Sequence, residues 1–511
     1  MSDSRAPRAG AAGLDAGVLA IAGVVVLGAV MSILDTTIVN VAIDALSRDF
    51  HTSLSTIQWV STGYMLALAT VIPLTGWAAD RFGTKRLYII SIVLFLAGSA
   101  LSGMAWSAGS LIAFRVLQGL GGGMIMPAGM TIMTRAAGPS RVGRVMSIVG
   151  VPMLLGPVLG PILGGWLVDD ISWRWIFYVN LPIGAVALAL AMRILPTDVP
   201  QPSQKLDAVG LALLSPGLAL FVYGLSETAS SGGVGSIKVW LPILAGITLI
   251  AGFARHALRT TQPLIELRLF RNRTVTASAL TTLFFGSAFF GAMLLLPLYY
   301  QVVRGDSALD AGLLLAPQGL GAMVTMPIAG RLTDRTGAGR IVLVGLALVM
   351  IGTIPYAFVK ADSSYWLLGA ALFVRGMGMG ATMMPAMSAA YQTLTRAAVA
   401  RATTALNIVQ RVGGSIGTAV LAVVLQHEIT SRLPAGTDTA GGALGAVQNV
   451  PASARAQIAP PVSAAFAHTF WWALGATVIA VIPALMLPRE LPEPAEREDP
   501  VTDAHPVATP V

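Results

Sequence analysis

What most constrains this chain is a succession of apolar runs, each long enough to cross a bilayer as a helix, which takes about 20 mostly apolar residues. Fourteen can be read, at roughly 17–43, 57–79, 87–105, 109–133, 142–167, 174–195, 208–227, 238–257, 275–302, 309–331, 340–359, 365–391, 401–425 and 468–488. In hydrocarbon every backbone polar group must be bonded within the protein, so runs of this length fold as spanning helices. Charged residues make up 11% of the 511, too few to clothe a soluble protein of this size. The fold class expected is an all-α membrane protein.

The basic residues test the span count. With the N-terminus inside, 22 of the 32 Lys and Arg fall on inward segments and 7 on outward ones, while Arg115, Arg375 and Arg411 fall inside spans. Cytoplasmic loops retain positive charge, so this bias and the even number of spans put both termini in the cytoplasm. The net charge of +8 is spread over short loops instead of forming a basic patch, so no nucleic-acid partner is expected. The chain has no cysteine, which excludes disulfides and thiolate metal sites. It also lacks the Gly-x-x-x-x-Gly-Lys-Ser/Thr loop of an ATP-driven pump and the His-Glu-x-x-His helix of a zinc enzyme. No catalytic, cofactor or metal site is expected.

An internal repeat organises the runs. Gly76-x-x-x-Asp80-Arg81-x-Gly83 recurs 254 residues later as Gly330-x-x-x-Asp334-Arg335-x-Gly337, each copy following a span. Six spans per half and two inserted ones account for that offset. The division is then a cytoplasmic tail over 1–16, a six-helix bundle over 17–195 and a linker with two extra spans over 196–274. A second six-helix bundle covers 275–488, with an outer loop at 427–467 that reads as flexible or as a short hairpin. The acidic tail over 489–511 reads as disordered. Repeated bundles flanking a central site are a transporter architecture.

Few residues can carry chemistry in such a chain. Asp35 lies well inside the first span, where an aspartate costs about 2.5–3.5 kcal/mol to insert. Desolvation opposes its charged form, which suits a group that binds and releases protons. The competing reading is a structural aspartate that caps a broken helix or pairs with an arginine. Arg115 in the fourth span needs a partner or a water-filled cavity, and it either tunes Asp35 or holds backbone carbonyls. Arg375 and Arg411 are similar charges with weaker claims.

The fifth span carries Gly156, Pro157, Gly160, Pro161, Gly164 and Gly165, a smooth face with two helix-bending prolines, suited to a gate or seal at a bundle interface. Asp80, Arg81 and Lys85 form a charged inner loop, mirrored by Asp334 and Arg335, that can latch the halves together or merely fix topology. Asn40, Trp59, Tyr64, Met126, Phe289, Tyr299, Gln318, Asn407 and Gln410 are polar or aromatic span residues. Together they outline a large and mostly apolar pocket, although ordinary packing accounts for any one of them.

The pattern resembles the major facilitator superfamily, and within it the fourteen-helix drug:proton antiporters, over nearly the whole chain to about residue 490. The segment from Leu34 to Ala42 resembles that group's first-helix motif. Gly76 to Arg86 resembles the superfamily's loop motif, and Arg115 to Gly123 the proton-relay motif of helix four. Gly156 to Gly165 resembles the antiporter motif of helix five, and Trp173 to Pro182 is similar to a stretch typical of the subgroup. Three positions depart from these motifs: Asp44, Ala78 and Thr84. Gln318 is the polar residue in the span where some exporters of dicationic drugs carry an additional acid.

The resemblance implies the major facilitator fold, two six-helix bundles plus two inserted linker helices. It implies proton-coupled export of lipophilic or cationic small molecules across the plasma membrane by alternating access, by a functional monomer in contact with membrane lipid. A dedicated exporter of an endogenous lipid or secondary metabolite is the nearest alternative. A non-transporting sensor or scaffold would have no need of Asp35 and Arg115 inside its spans. An uptake symporter is disfavoured by the Gly156–Gly165 motif.

Overall fold

The computed structural model describes residues 15–138, 141–198, 200, 205–230, 236–395, 398–432, 447 and 452–490. Among them the secondary structure is helical throughout, without a strand. The helices are α1 (Ala16–Asp49), α2 (Leu54–Phe82), α3 (Thr84–Gly103), α4 (Ala108–Ala137), α5 (Val142–Asp170), α6 (Trp175–Tyr178) and α7 (Asn180–Ile194). Then come α8 (Ala208–Ser230), α9 (Ile237–Arg259), α10 (Arg273–Leu298), α11 (Ala308–Thr336), α12 (Ala338–Ala357), α13 (Tyr365–Gln392), α14 (Val399–Arg432) and α15 (Ala452–Ala484). Among the described residues 13 helical segments are long and apolar enough to span a membrane, α6 and α7 forming one of them. Helix α5 adds 29 residues, about 44 Å at the helical rise.

The sequence placed an outer loop at 427–467, and here the structure corrects it. Residues 427–432 continue α14, and residues 452–467 form the first turns of α15. Local apolarity is weak there, but helical hydrogen bonding continues past the apolar core of each span. The intervening 433–446 and 448–451, the tails before residue 15 and after residue 490, and the side chains of Asn40, Pro157 and Pro161 lie outside the described residues.

Helix ends follow local chemistry. Ser53, Ser236, Asn272 and Ser307 accept backbone N–H groups at the starts of α2, α9, α10 and α11, and Ser107 with Ser110 forms a reciprocal capping box on α4. Gly83 separates α2 from α3 at φ 85°, and Gly337 separates α11 from α12 at φ 84°. With ψ of 147° and 154°, both occupy a region open essentially to glycine alone. The repeated sequence motif therefore ends on the same backbone turn in each half.

The repeat extends into the packing. A β-carbon placed on Gly98 of α3 would meet the backbone of Gln118 on α4, and one on Gly121 the backbone of Phe95. In the second half Gly352 meets Arg375 and Gly378 meets Val349 in the same way. Gly119 lies on the carbonyl of Tyr64 in α2, and Gly376 on the carbonyl of Gln318 in α11. Thr37 of α1 donates to the carbonyl of Gly156 on α5 at 3.3 Å, as Ser287 of α10 does to Gly413 on α14 at 2.8 Å. This matches Gln118 with Arg375, Tyr64 with Gln318 and Thr37 with Ser287. Two residues before Thr37 and Ser287, Asp35 is matched by Phe285.

Helices α1 to α7 pack together as one group and α10 to α15 as another, and the groups meet along α5–α11 and α2–α14. The contact tightens at the end of the molecule that carries Asp80 and Asp334, where Gly143 of α5 and Gly330 of α11 bring backbone against backbone. The α8–α9 hairpin covers the seam between α2 and α14, with Ser215 donating to the carbonyl of Thr70 at 2.6 Å. Leu214, Leu218 and Phe253 of the hairpin pack with Ala405 of α14. Asp207 ties the hairpin's base, accepting from the Gly210 N–H at 2.8 Å and the Leu264 N–H at 3.1 Å and lying 2.8 Å from His256 Nε2. Burial opposes its charge, but these partners outweigh it and hold the carboxyl below its ordinary range.

Candidate functional site

Asp35 is fully buried in the middle of α1, and its carboxylate is bonded on both oxygens. Arg115 of α4 reaches Oδ2 at 2.6 Å, Gln118 donates to Oδ1 at 2.8 Å, and Asn180 at the start of α7 donates to Oδ1 at 3.1 Å. Helices α4 and α7 thus converge on the acid of α1. A carboxylate accepts on both oxygens, so the arrangement fits the ionised form. Arg115 also donates to Gln118 Oε1 at 2.7 Å and to the Val60 carbonyl at 3.4 Å. The guanidinium lies 4.0 Å over the ring of Tyr64 and 5.7 Å from that of Phe177. Asn180 is held in turn by Ser99, whose hydroxyl donates to the Phe177 carbonyl at 2.8 Å.

Burial makes the pair consequential. Both partners are buried away from bulk solvent, so removing one leaves an uncompensated charge, which costs about 3–5 kcal/mol. Protonating Asp35 removes the counter-charge of Arg115 without any change of sequence. The carboxylate is therefore the point at which α1, α4 and α7 are tied together. Gln118, Asn180 and Ser99 were not singled out from sequence. Gln118 had a signal, standing three residues after Arg115 on the same helix face. Asn180 is 145 residues from Asp35, and no spacing rule connects the two.

The glycine face of α5 takes a different place from the one expected of an interface seal. Gly156 meets Ile33, Gly160 meets Thr37 and Gly164 meets the Ile38 carbonyl, all on α1 and within the same half. Nothing lies within 4 Å of a β-carbon on Gly165. The face therefore backs the helix that carries Asp35. Contact with the other half belongs to the opposite end of α5, where Gly143 meets Gly330 and Gly150 meets Met326 and Met384.

At the charged end, Asp334 of α11 accepts from the backbone N–H of Gly143 at 2.8 Å and of Arg144 at 3.2 Å, and from Arg144 Nε at 3.3 Å. Asp80 of α2 pairs with Arg135 at 3.4 Å and with Arg401 of α14 at 3.5 Å. Both aspartates therefore bond across the two halves. Lys85, placed in the latch by sequence, instead donates to the carbonyls of Met192 and Leu195 and caps α7 within its own half. Among the described residues Arg81 and Arg335 make no ion pair. The cross-half basic partners are Arg144 and Arg401, which the repeated motif does not contain.

The pocket candidates scatter. Tyr64 lies beneath Arg115. Tyr299 is buried and donates to the Lys360 carbonyl at 2.7 Å, and Asn407 donates to the Thr403 carbonyl at 2.8 Å, both structural bonds. Gln318 accepts from Arg375 Nη1. Phe289 is buried between Phe285 and Phe290, while Met126 packs against the core and Gln410 faces Phe285 and Gly286. Trp59 stacks on Tyr223 of α8 at 5.7 Å. That tyrosine lines a cavity of about 390 Å³ between α2, α8, α10 and α14, bounded also by Met65, Leu66, Phe290 and Arg411. A groove of about 500 Å³ on α10, α14 and α15 carries no charged lining residue.

A twice-repeated bundle of spanning helices, with a buried ion pair in one half and a cavity between the halves, defines a membrane transporter. The chain belongs to the Major Facilitator Superfamily, whose family model matches residues 25–418. It is 46% identical over 492 residues to the Multidrug resistance protein B homolog of Mycobacterium tuberculosis, a match covering 93% of this chain and 91% of that one. The Multidrug export protein EmrB of Haemophilus influenzae is 30% identical over 397 residues, covering 77% and 78%. Among solved structures, the proton:xylose symporter XylE bound to 6-bromo-6-deoxy-D-glucose matches with a TM-score of 0.58 at 16% identity. That match covers 91% of this chain and 94% of the other, and it speaks to the fold alone.

Proposed function

We propose that this transporter exports lipophilic small molecules across the plasma membrane in exchange for protons, with both termini in the cytoplasm. The observation that carries the reading is the fully buried Asp35–Arg115 pair, an acid in a spanning helix whose one charged partner among the described residues is a guanidinium. Among the described residues no second acid is fully buried in a helix core, so the exchangeable proton is assigned to Asp35. In the ionised state the pair locks α1 to α4. Protonation frees Arg115 and loosens the joint between α1, α4 and α7. Exchange follows when proton and substrate occupy the protein in alternate states. The names of the relatives from Mycobacterium tuberculosis and Haemophilus influenzae support drug molecules as the cargo.

With the charged end at the cytoplasm, the bonds of Asp80 and Asp334 form an inner latch. The cavity lies on the other side of that latch, so the conformation is sealed inward. The test is efflux from proteoliposomes under an imposed pH gradient, comparing the natural chain with Asp35→Asn. Gradient-driven transport by the first and none by the second is expected. Equal transport by both would remove Asp35 from the mechanism.

A narrower reading is dedicated export of one endogenous lipid or secondary metabolite, and a relative named for a single compound supports the narrow range. The Tetracenomycin C resistance and export protein of Streptomyces glaucescens is 29% identical over 412 residues, covering 80% of this chain and 76% of that one. A substrate panel separates the two: transport confined to a single scaffold selects the narrower.

A further inference from the structure

We infer that the cavity between α2, α8, α10 and α14 binds a lipophilic anion, an apolar body with one negatively charged head, and that Arg411 holds the head. The inference rests on the transporter reading above and narrows its substrate class. At about 390 Å³ the cavity is within the range of small-molecule sites. Met65, Leu66, Val222 and Phe290 supply apolar wall, and Arg411 is the one charged side chain among the lining residues.

The three span arginines are partnered differently. Arg115 is neutralised by Asp35, and Arg375 donates to the amide oxygen of Gln318. Among the described residues Arg411 has no ion-pair partner, although it sits in the middle of α14. A guanidinium kept in a membrane span marks a ligand pathway when no protein group answers it. Its planar fork matches a carboxylate, sulfonate or phosphate, and Ser415 and Thr418 line the same wall. An ammonium head would face like charge there, with no carboxylate on the lining to offset it. The occupant can come from solution as a free amphiphile or from the bilayer as an anionic phospholipid, since both carry this chemistry.

The test uses the full chain in nanodiscs of zwitterionic lipid, with tritiated octanesulfonate as the probe and octyltrimethylammonium as a competitor of equal tail and opposite head. Saturable sulfonate binding that the ammonium does not displace is expected. Arg411→Gln weakens it about tenfold, the effect of one charge-assisted hydrogen bond. Arg411→Lys keeps most of it, which separates loss of charge from misfolding. Anionic phospholipid that displaces the sulfonate identifies lipid as the occupant, and phospholipid without effect identifies the free amphiphile; both uphold an anion site. Absent sulfonate binding, sulfonate binding unchanged by Arg411→Gln, or tighter binding of the ammonium overturns the inference. Equilibrium binding needs no gradient, so such a failure leaves proton exchange standing. Sulfonate binding without gradient-driven transport of any substrate would sink proton exchange alone.

Discussion

A carboxylate taken out of water must be answered by donors, and Asp35 has three, from Arg115, Gln118 and Asn180. Only the first is charged, so the pair should behave as a unit in stability as well as in transport. Arg115→Gln strands the buried carboxylate and is expected to destabilise the protein by about 3–5 kcal/mol. Adding Asp35→Asn to that variant should return much of the loss, because no buried charge then remains unanswered. Thermal melting of the two single variants and the double variant in detergent reads this coupling, and additive penalties would contradict it. The pair was legible in the sequence because charge inside an apolar run is conspicuous. Its neutral partners were not, since Asn180 meets Asp35 only through the fold. Tyr299 and Asn407 show the converse: a polar residue in a span often bonds a carbonyl nearby or on an adjacent segment, and composition does not reveal which way it faces.

At the scale of single elements, α5 and α1 depend on each other through a face without side chains. Thr37 lies where a β-carbon on Gly160 would have to go, and it also donates to the Gly156 carbonyl. Gly160→Leu is therefore expected to push α5 off α1, displacing the helix that carries Asp35. The expected outcome is a lower melting temperature and loss of transport, while Gly165→Ala, in open space, leaves both unchanged. Equal tolerance of the two substitutions would mean that the α1–α5 contact is not as close as described. The glycine spacing was plain in the sequence and correctly announced close helix packing. Its partner was not, because the same spacing serves a contact within one half as well as a contact between halves. The continuation of α14 and α15 into the expected outer loop was missed for a related reason, since helical hydrogen bonding does not stop where apolarity does.

Across the whole molecule, the two halves are joined at the charged end where Asp334 of α11 bonds the start of α5 and Asp80 of α2 pairs with Arg401 of α14. Ser147 lies buried one turn beyond Gly143, where α5 crosses Gly330. The chain has no cysteine, so Ser147→Cys gives a single thiol as a reporter of that junction. Adding Asp334→Ala should open the junction and raise the labelling rate by a membrane-impermeant maleimide applied from that side. An unchanged rate would show that backbone packing, and not the aspartate, keeps the end closed. The gross architecture was readable from span lengths, loop charges and one repeated motif. The asymmetry between the halves was not. Only superimposed packing reveals that Asp35 is matched by Phe285, and Gln118 by Arg375, so that one half carries the acid and the other a surplus of positive charge.

In the exchange proposed, one carboxyl trades its proton against substrate. The most direct measurement is proton release into weakly buffered solution when a transported substrate is added to the purified protein, followed with a pH-indicator dye across the neutral range. The natural chain is expected to release protons on substrate addition, and Asp35→Asn is expected to bind substrate and release none. Release that persists in Asp35→Asn, or binding by the natural chain with no release at any pH, would contradict the exchange.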